Sequence, residues 1–252
     1  MGRLIIVTSA KDGYGKTTVV AMLGTALANQ GKLVCVLDAD CGYSNLQDLL
    51  GLKNMAIYDL YDVITNKCRN SEALIEDPGQ QGLYLMPLNE HNNIFKDFCL
   101  NFAETIRSLQ QRFDYVIVDF PSLYLHKLEI FNNSSLEVVV VTNPTVPAIK
   151  STYLLVQKLK SQKIEDCHFI LNRARADLIK KNIMPNINEI EEALEINSYG
   201  IVPENDNLLL TSSYASLMLK REAKITNAFN SLACNIVNNN SEHLRVGRFC
   251  LR

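Results

Sequence analysis

The chain alternates runs of consecutive apolar residues with segments whose apolar positions recur every three or four residues. Leu4-Ile5-Ile6-Val7 is a run of the first kind, and residues 17–29 form a segment of the second kind, stopped at Gly31. A second strand-like run covers 33–37. Short helices are expected at 58–64 and 71–75, a strand at 83–86 before Pro87, and a long helix at 93–111. That helix carries Ile94, Phe98, Phe102, Ile106 and Leu109 at helical spacing. Strands at 115–118 and 138–141, a helix at 147–160, a strand at 168–171 and a helix at 187–194 follow. A short strand at 201–202 and a last helix over 215–237 complete the pattern. Strands apolar on both faces need cover on both faces, and the intervening helices supply the crossovers that parallel pairing requires. The expected fold is α/β, a mostly parallel twisted sheet with helices on both faces. One domain is expected over 1–237, with a tail at 238–252 introduced by a run of asparagines.

Composition narrows the function classes. With 47% hydrophobic and 21% charged residues in 252, the chain is neither a disordered tail nor a fibre. A net charge of -2 gives no global basic field, so DNA is not the favoured partner. No apolar run approaches the ~20 residues that a membrane helix needs. The strand pattern at 1–7 leaves no room for a signal peptide, and a cytoplasmic location is expected. Seven cysteines without a C-x-x-C pair read as reduced, mostly buried thiols rather than zinc ligands or disulfides. His91, His126, His168 and His243 are scattered and read as structural or surface residues.

The chemistry is concentrated between the first strand and the first helix, in Ser9-Ala10-Lys11-Asp12-Gly13-Tyr14-Gly15-Lys16-Thr17-Thr18. Gly-Lys-Thr opening a helix after a buried strand places backbone N–H groups and a helix N-terminus around a phosphate chain. Lys16 then neutralises β- and γ-oxygens, and Thr17 offers its hydroxyl to Mg²⁺. The ordinary phosphate-loop pattern has glycine where this chain has Ala10. Asp38, Asp40 and Asp119 follow strand runs, at the sheet end where open α/β folds bind ligands.

Lys11-x-Gly13-x-Gly15-Lys16-Thr17-Thr18 resembles the deviant phosphate loop of the MinD/ParA ATPases, and the likeness is closest to the MinD branch. It extends in order through 38–46, 58–63, 83–87, 142–149, 171–173 and 200–204, about 200 residues in all. The resemblance implies a P-loop NTPase fold, ATP and Mg²⁺ as ligands, and hydrolysis that is slow and partner-stimulated. It implies catalytic roles for Lys11, Lys16 and Asp40. Lys11 reaches the ATP of a second subunit, and Asp40 orients the attacking water. The nucleotide is held by Lys11, Asp12, Gly13, Tyr14, Gly15, Lys16, Thr17 and Thr18. Asn172 meets the adenine edge, and the main chain at Pro203 and Glu204 packs on the base. Thr17, Asp38 and Asp119 serve the metal. Implied partners are a second copy of the chain when ATP binds, a MinC-like division inhibitor and a MinE-like or other activator. The output is septum placement.

Two departures bear on these roles. Asp12 stands where the family has a glycine, and Phe120 and Leu123 are bulky in the segment after Asp119 that senses the γ-phosphate. They keep open a nucleotide-binding scaffold with little hydrolysis, and partitioning or flagellar-number ATPases share the same loop. A metabolic P-loop kinase is the remote alternative. In the tail, Arg245, Arg248 and Arg252 fall on one helical face, with Leu244, Phe249 and Leu251 off it. Proteins of the MinD branch end in a short amphipathic helix that binds anionic lipid, so the tail reads either as a route to the inner face of the cell membrane or as a frayed, solvated C-terminus.

Overall fold

A computed structural model describes residues 1–40, 46–89, 99–131, 136–206 and 215–239. Among these residues eight strands form one sheet: β1 (Arg3–Ser9), β2 (Val34–Asp38), β3 (Ile75–Glu76), β4 (Leu83–Met86), β5 (Tyr115–Asp119), β6 (Leu136–Thr142), β7 (Cys167–Ala174) and β8 (Ser198–Pro203). The order is β3-β4-β2-β5-β1-β6-β7-β8, and every pairing is parallel except β3 with β4.

The strand runs are apolar on both sides because both sides are covered. Leu4, Ile6, Cys35, Leu37, Val116 and Val118 face one core, with Phe102, Ile106 and Leu109 of α5 (Cys99–Gln110). The same core takes Leu155 and Leu159 of α6 (Val146–Ser161), and Ile190 and Leu194 of α8 (Ile187–Leu194). Ile5, Val7, Val34, Val36 and Ile117, the alternate residues, face the other. That second core is closed by α1 (Lys16–Asn29), by α2 (Leu46–Leu50), and by two late helices, α9 (Ala215–Arg221) and α10 (Ala223–Asn238). The other helices among the described residues are α3 (Leu60–Ile64), α4 (Asn70–Ala73) and α7 (Ala176–Lys180), with a 3₁₀ segment at Ser122–Phe131.

Two expectations are corrected, and a segment without an expected element takes a defined form. Ile75, expected to close a helix, pairs with Leu85 as part of β3, because α4 ends at Ala73 and the backbone is already extended at Leu74. The last helix is two helices, broken at Glu222, whose φ of -107 and ψ of 86 leave the helical region. The segment after Asp119 is a 3₁₀ helix with Leu125, Leu128 and Phe131 buried at a spacing of three. Ile94, Phe98, His91 and His243, the 41–45 part of the MinD-like stretch, and the tail residues Leu244, Arg245, Arg248, Phe249 and Leu251 lie outside the described residues. Among the described residues, no helix is long and apolar enough to cross a membrane.

Candidate functional site

The parallel order brings the ends of β1, β2 and β5 together. Asp38 and Asp119 are register partners, as are Val7 and Asp119, so the acids flank the loop that leaves β1. The Ala39 N–H donates to the Asp119 carbonyl at 3.0 Å and the Phe120 N–H to the Val7 carbonyl at 2.9 Å, which fixes the chain on both sides of Asp119. Phe120 is buried in the first core, whereas Leu123 is exposed.

The loop from Ser9 turns into α1 at Gly15, a left-handed residue with φ 90, and no side chain caps the first turn. The first-turn N–H groups at Lys16, Thr17 and Thr18 therefore have no side-chain competitor for an anion. The Ser9 hydroxyl donates to the Lys11 carbonyl at 2.8 Å. Lys11, Asp12 and Gly13 are exposed, and no ion pair joins Lys11 to Asp12 among the described residues. Tyr14 is half-buried, its hydroxyl 3.3 Å from that of Ser151 on α6.

Lys16 is only 6% exposed. Its ammonium lies 2.5 Å from Asp40 Oδ2 and 3.2 Å from Asp119 Oδ1. Burial opposes its charge, but the carboxylates of Asp119 and Asp40 outweigh burial and hold its pKa above the ordinary lysine value. Asp119 is fully buried, and that burial pushes its pKa up against the pull of Lys16 and the Thr17 hydroxyl. Asp38, also buried, accepts the Asp40 N–H at 3.0 Å and so shapes the turn that carries Asp40.

The donor set suits Mg²⁺. The buried Asp119 carboxylate has the Lys16 ammonium 3.2 Å from Oδ1 and the Thr17 hydroxyl beside it. A carboxylate and a hydroxyl at the end of a strand and the start of a helix could hold a hydrated hard cation once Lys16 turns to a phosphate. Among the described residues no group of three His, Cys, Asp or Glu is placed to hold a metal ion.

At the end of β7, Asn172 is 7% exposed, and its amide donates to the Tyr14 carbonyl at 2.8 Å. Pro203 ends β8 next door and Glu204 follows it, the Glu204 N–H donating to the Ala174 carbonyl at 3.0 Å. Both line a cavity of about 1060 Å³ that runs along β8 between α7 and α10 and does not include Lys16 or Asn172 in its wall. Thus Lys16, Thr17, Asp38, Asp40 and Asp119 converge, Asn172 joins the loop itself, and Pro203 and Glu204 stand to one side. Sequence reasoning missed Ser9 and Ser151. The first stands within the motif, and the second carries no signal short of knowing the sheet order.

Residues 5–216 match the CbiA family, described as the CobQ/CobB/MinD/ParA nucleotide binding domain. The septum site-determining protein MinD of Bacillus subtilis is 36% identical over 216 residues, covering 85% of this chain and 81% of that protein. The MinC:MinD cell division protein complex of Aquifex aeolicus contains a chain that superposes with a TM-score of 0.84 at 28% identity, over 95% of this chain and 97% of that one. The cell division ATPase MinD of Pyrococcus furiosus superposes with a TM-score of 0.81 at 26% identity, over 95% and 100% of the two chains.

Proposed function

The chain belongs to the CobQ/CobB/MinD/ParA nucleotide-binding family, and from that premise we propose that it is a MinD-type ATPase acting in septum placement. The observation that carries this reading is the buried Lys16 at the start of α1, held between Asp40 and Asp119 at the ends of two neighbouring strands. A buried ammonium over an uncapped helix start is a triphosphate site held ready by carboxylates.

In this reading the N–H groups of α1 and the Lys16 charge bind the β- and γ-phosphates of ATP. Lys16 exchanges its carboxylates for phosphate oxygens, which releases Asp40 to orient the attacking water. Thr17 and Asp119 would hold Mg²⁺, with Asp38 behind them, and the ion would supply charge neutralisation for the phosphates. Lys11, exposed at the loop's tip, is placed to meet a nucleotide bound to a second copy of the chain. ATP then favours the dimer, and hydrolysis, slow until a partner stimulates it, dissolves it. A MinC-like inhibitor and a MinE-like or other activator are the partners in this reading, and residues 244–252 bring the dimer to anionic membrane.

Sedimentation velocity tests this. Native protein forms a dimer with Mg²⁺ and ATP and reverts to monomer with ADP, whereas Lys11→Ala stays monomeric in both. Equal dimerisation by Lys11→Ala contradicts it. A nucleotide-binding scaffold with little turnover is the second reading, favoured by the exposed carboxylate of Asp12 beside Lys11. Phosphate release with liposomes present separates the two.

A further inference from the structure

The loop between β1 and α1 has little packing of its own. A Cβ built on Gly13 would touch nothing within 4 Å, and its neighbours Lys11 and Asp12 are exposed. Its shape is set from the side, by two donors that grip its carbonyls: the Ser9 hydroxyl on Lys11 and the Asn172 amide on Tyr14. The second grip comes from far away. Asn172 lies two residues before the end of β7, a strand separated from β1 by β6, so its side chain reaches across the end of an intervening strand.

Asn172 is itself held at both ends. Its Nδ2 donates to the Tyr14 carbonyl at 2.8 Å, and its Oδ1 accepts the Arg173 N–H at 3.0 Å. Arg173 takes a left-handed φ of 59, where the ladder between β7 and β8 shifts register. The amide also presses on Gly15. A Cβ there would lie 2.2 Å from Nδ2, so glycine is required at that position by contact as well as by its φ of 90.

A trans peptide is planar, with its C=O and N–H pointing in opposite directions. A donor that holds the Tyr14 carbonyl toward β7 therefore turns the Gly15 N–H away from β7. The Ser9 hydroxyl acts in the same way on the Lys11 carbonyl and the Asp12 N–H. We propose that Asn172 is a positioning residue for the phosphate loop, and that it contributes to nucleotide affinity through the phosphates rather than the base. This rests on the reading of the loop as a triphosphate site. It gives Asn172 a task distinct from the adenine contact that the resemblance implies.

The test compares ATP, ADP and inorganic tripolyphosphate, each with Mg²⁺, by calorimetry on native protein, Asn172→Asp and Asn172→Ala. Asp keeps the acceptor for Arg173 but sets a carboxylate against the Tyr14 carbonyl, and Ala removes both bonds. We expect both variants to lose roughly tenfold or more for all three ligands, by similar factors, since tripolyphosphate has no base to recognise. Melting curves accompany the titrations, and Asn172→Ala, which adds no charge, decides if Asn172→Asp does not fold. Tripolyphosphate binding unchanged while ATP binding falls overturns the proposal and returns Asn172 to the base. Native protein that binds none of the three ligands instead overturns the triphosphate reading on which it rests.

Discussion

The ammonium of Lys16 stands 2.5 Å from the carboxylate of Asp40. In the function proposed above these two residues serve phosphate and water, so ATP binding would exchange one ion pair for another and Asp40 would compete with the phosphate.

Asp40→Asn removes that competitor. A partly exposed ion pair is worth about 1 kcal/mol, so ATP affinity should rise roughly fivefold while turnover collapses. Fluorescent-nucleotide titration paired with phosphate release reads both. Weaker binding by the variant would show that Asp40 does not oppose phosphate.

Asp12→Gly should strengthen ATP-dependent dimerisation. A carboxylate at the exposed loop meets other negative charge when two loops and their triphosphates approach, and one like charge at ~4 Å costs roughly 1–4 kcal/mol depending on screening. The dimer dissociation constant in Mg²⁺ and ATP should fall about fivefold or more, with the largest difference at low salt. Native protein that dimerises as readily as Asp12→Gly would remove any role for this departure from the family.

Gly24→Ala should destabilise the fold although alanine is the better helix former by about 1 kcal/mol. A Cβ at Gly24 on α1 would lie 2.5 Å from Val36 Cγ1 on β2, so the helix must move off the sheet. The overpacking cost is about 1–3 kcal/mol, read as a lower melting temperature. A rise would mean that α1 does not sit this close.

The buried thiols set an alkaline limit. Burial pushes Cys167 up to about 12 from 9.0, and burial likewise raises Cys35. The unfolded chain then releases these protons near pH 9.0 while the folded chain keeps them. Stability is accordingly full below that pH and falls above it, by about 1.4 kcal/mol per pH unit for each thiol. Cys167→Ala should flatten the decline between pH 9 and pH 11 in denaturant titrations, after allowance for a constant cavity cost. In native protein at pH 8, alkylation mapped by mass spectrometry should mark the exposed Cys234 before Cys35 or Cys167.

Deleting residues 244–252 should weaken the affinity for anionic liposomes in Mg²⁺ and ATP by about a hundredfold, since the segment carries Arg245, Arg248 and Arg252 and each basic residue near such a surface contributes about 1 kcal/mol. Neutral liposomes should show no difference. Equal pelleting of both proteins on anionic liposomes would exclude the tail from membrane binding.

The sheet was legible because its strands are buried on both faces, so Leu4 to Val7 or Val138 to Val141 need only be apolar to be recognised. Ile75 was misread because two residues hold no period, and its pairing with Leu85 is decided by tertiary contact. The spacing of Leu125, Leu128 and Phe131 did carry the 3₁₀ period, although no element was assigned there. Lys16, Thr17, Asp38, Asp40 and Asp119 were legible by their place at strand ends and helix start. The grip of Asn172 on Tyr14 was not. It joins residues 158 apart and exists only because β6 and β7 follow β1 in the sheet.

The central claim is that Lys16 makes this loop a working ATP site. The direct measurement is ATP binding and phosphate release by native protein and Lys16→Ala, with Mg²⁺ and anionic liposomes. Native protein should bind ATP and release phosphate. Lys16→Ala, which still folds by its melting curve, should lose about a hundredfold in affinity and all measurable turnover. Equal binding and turnover by the two proteins, or no ATP binding by native protein, would contradict the account.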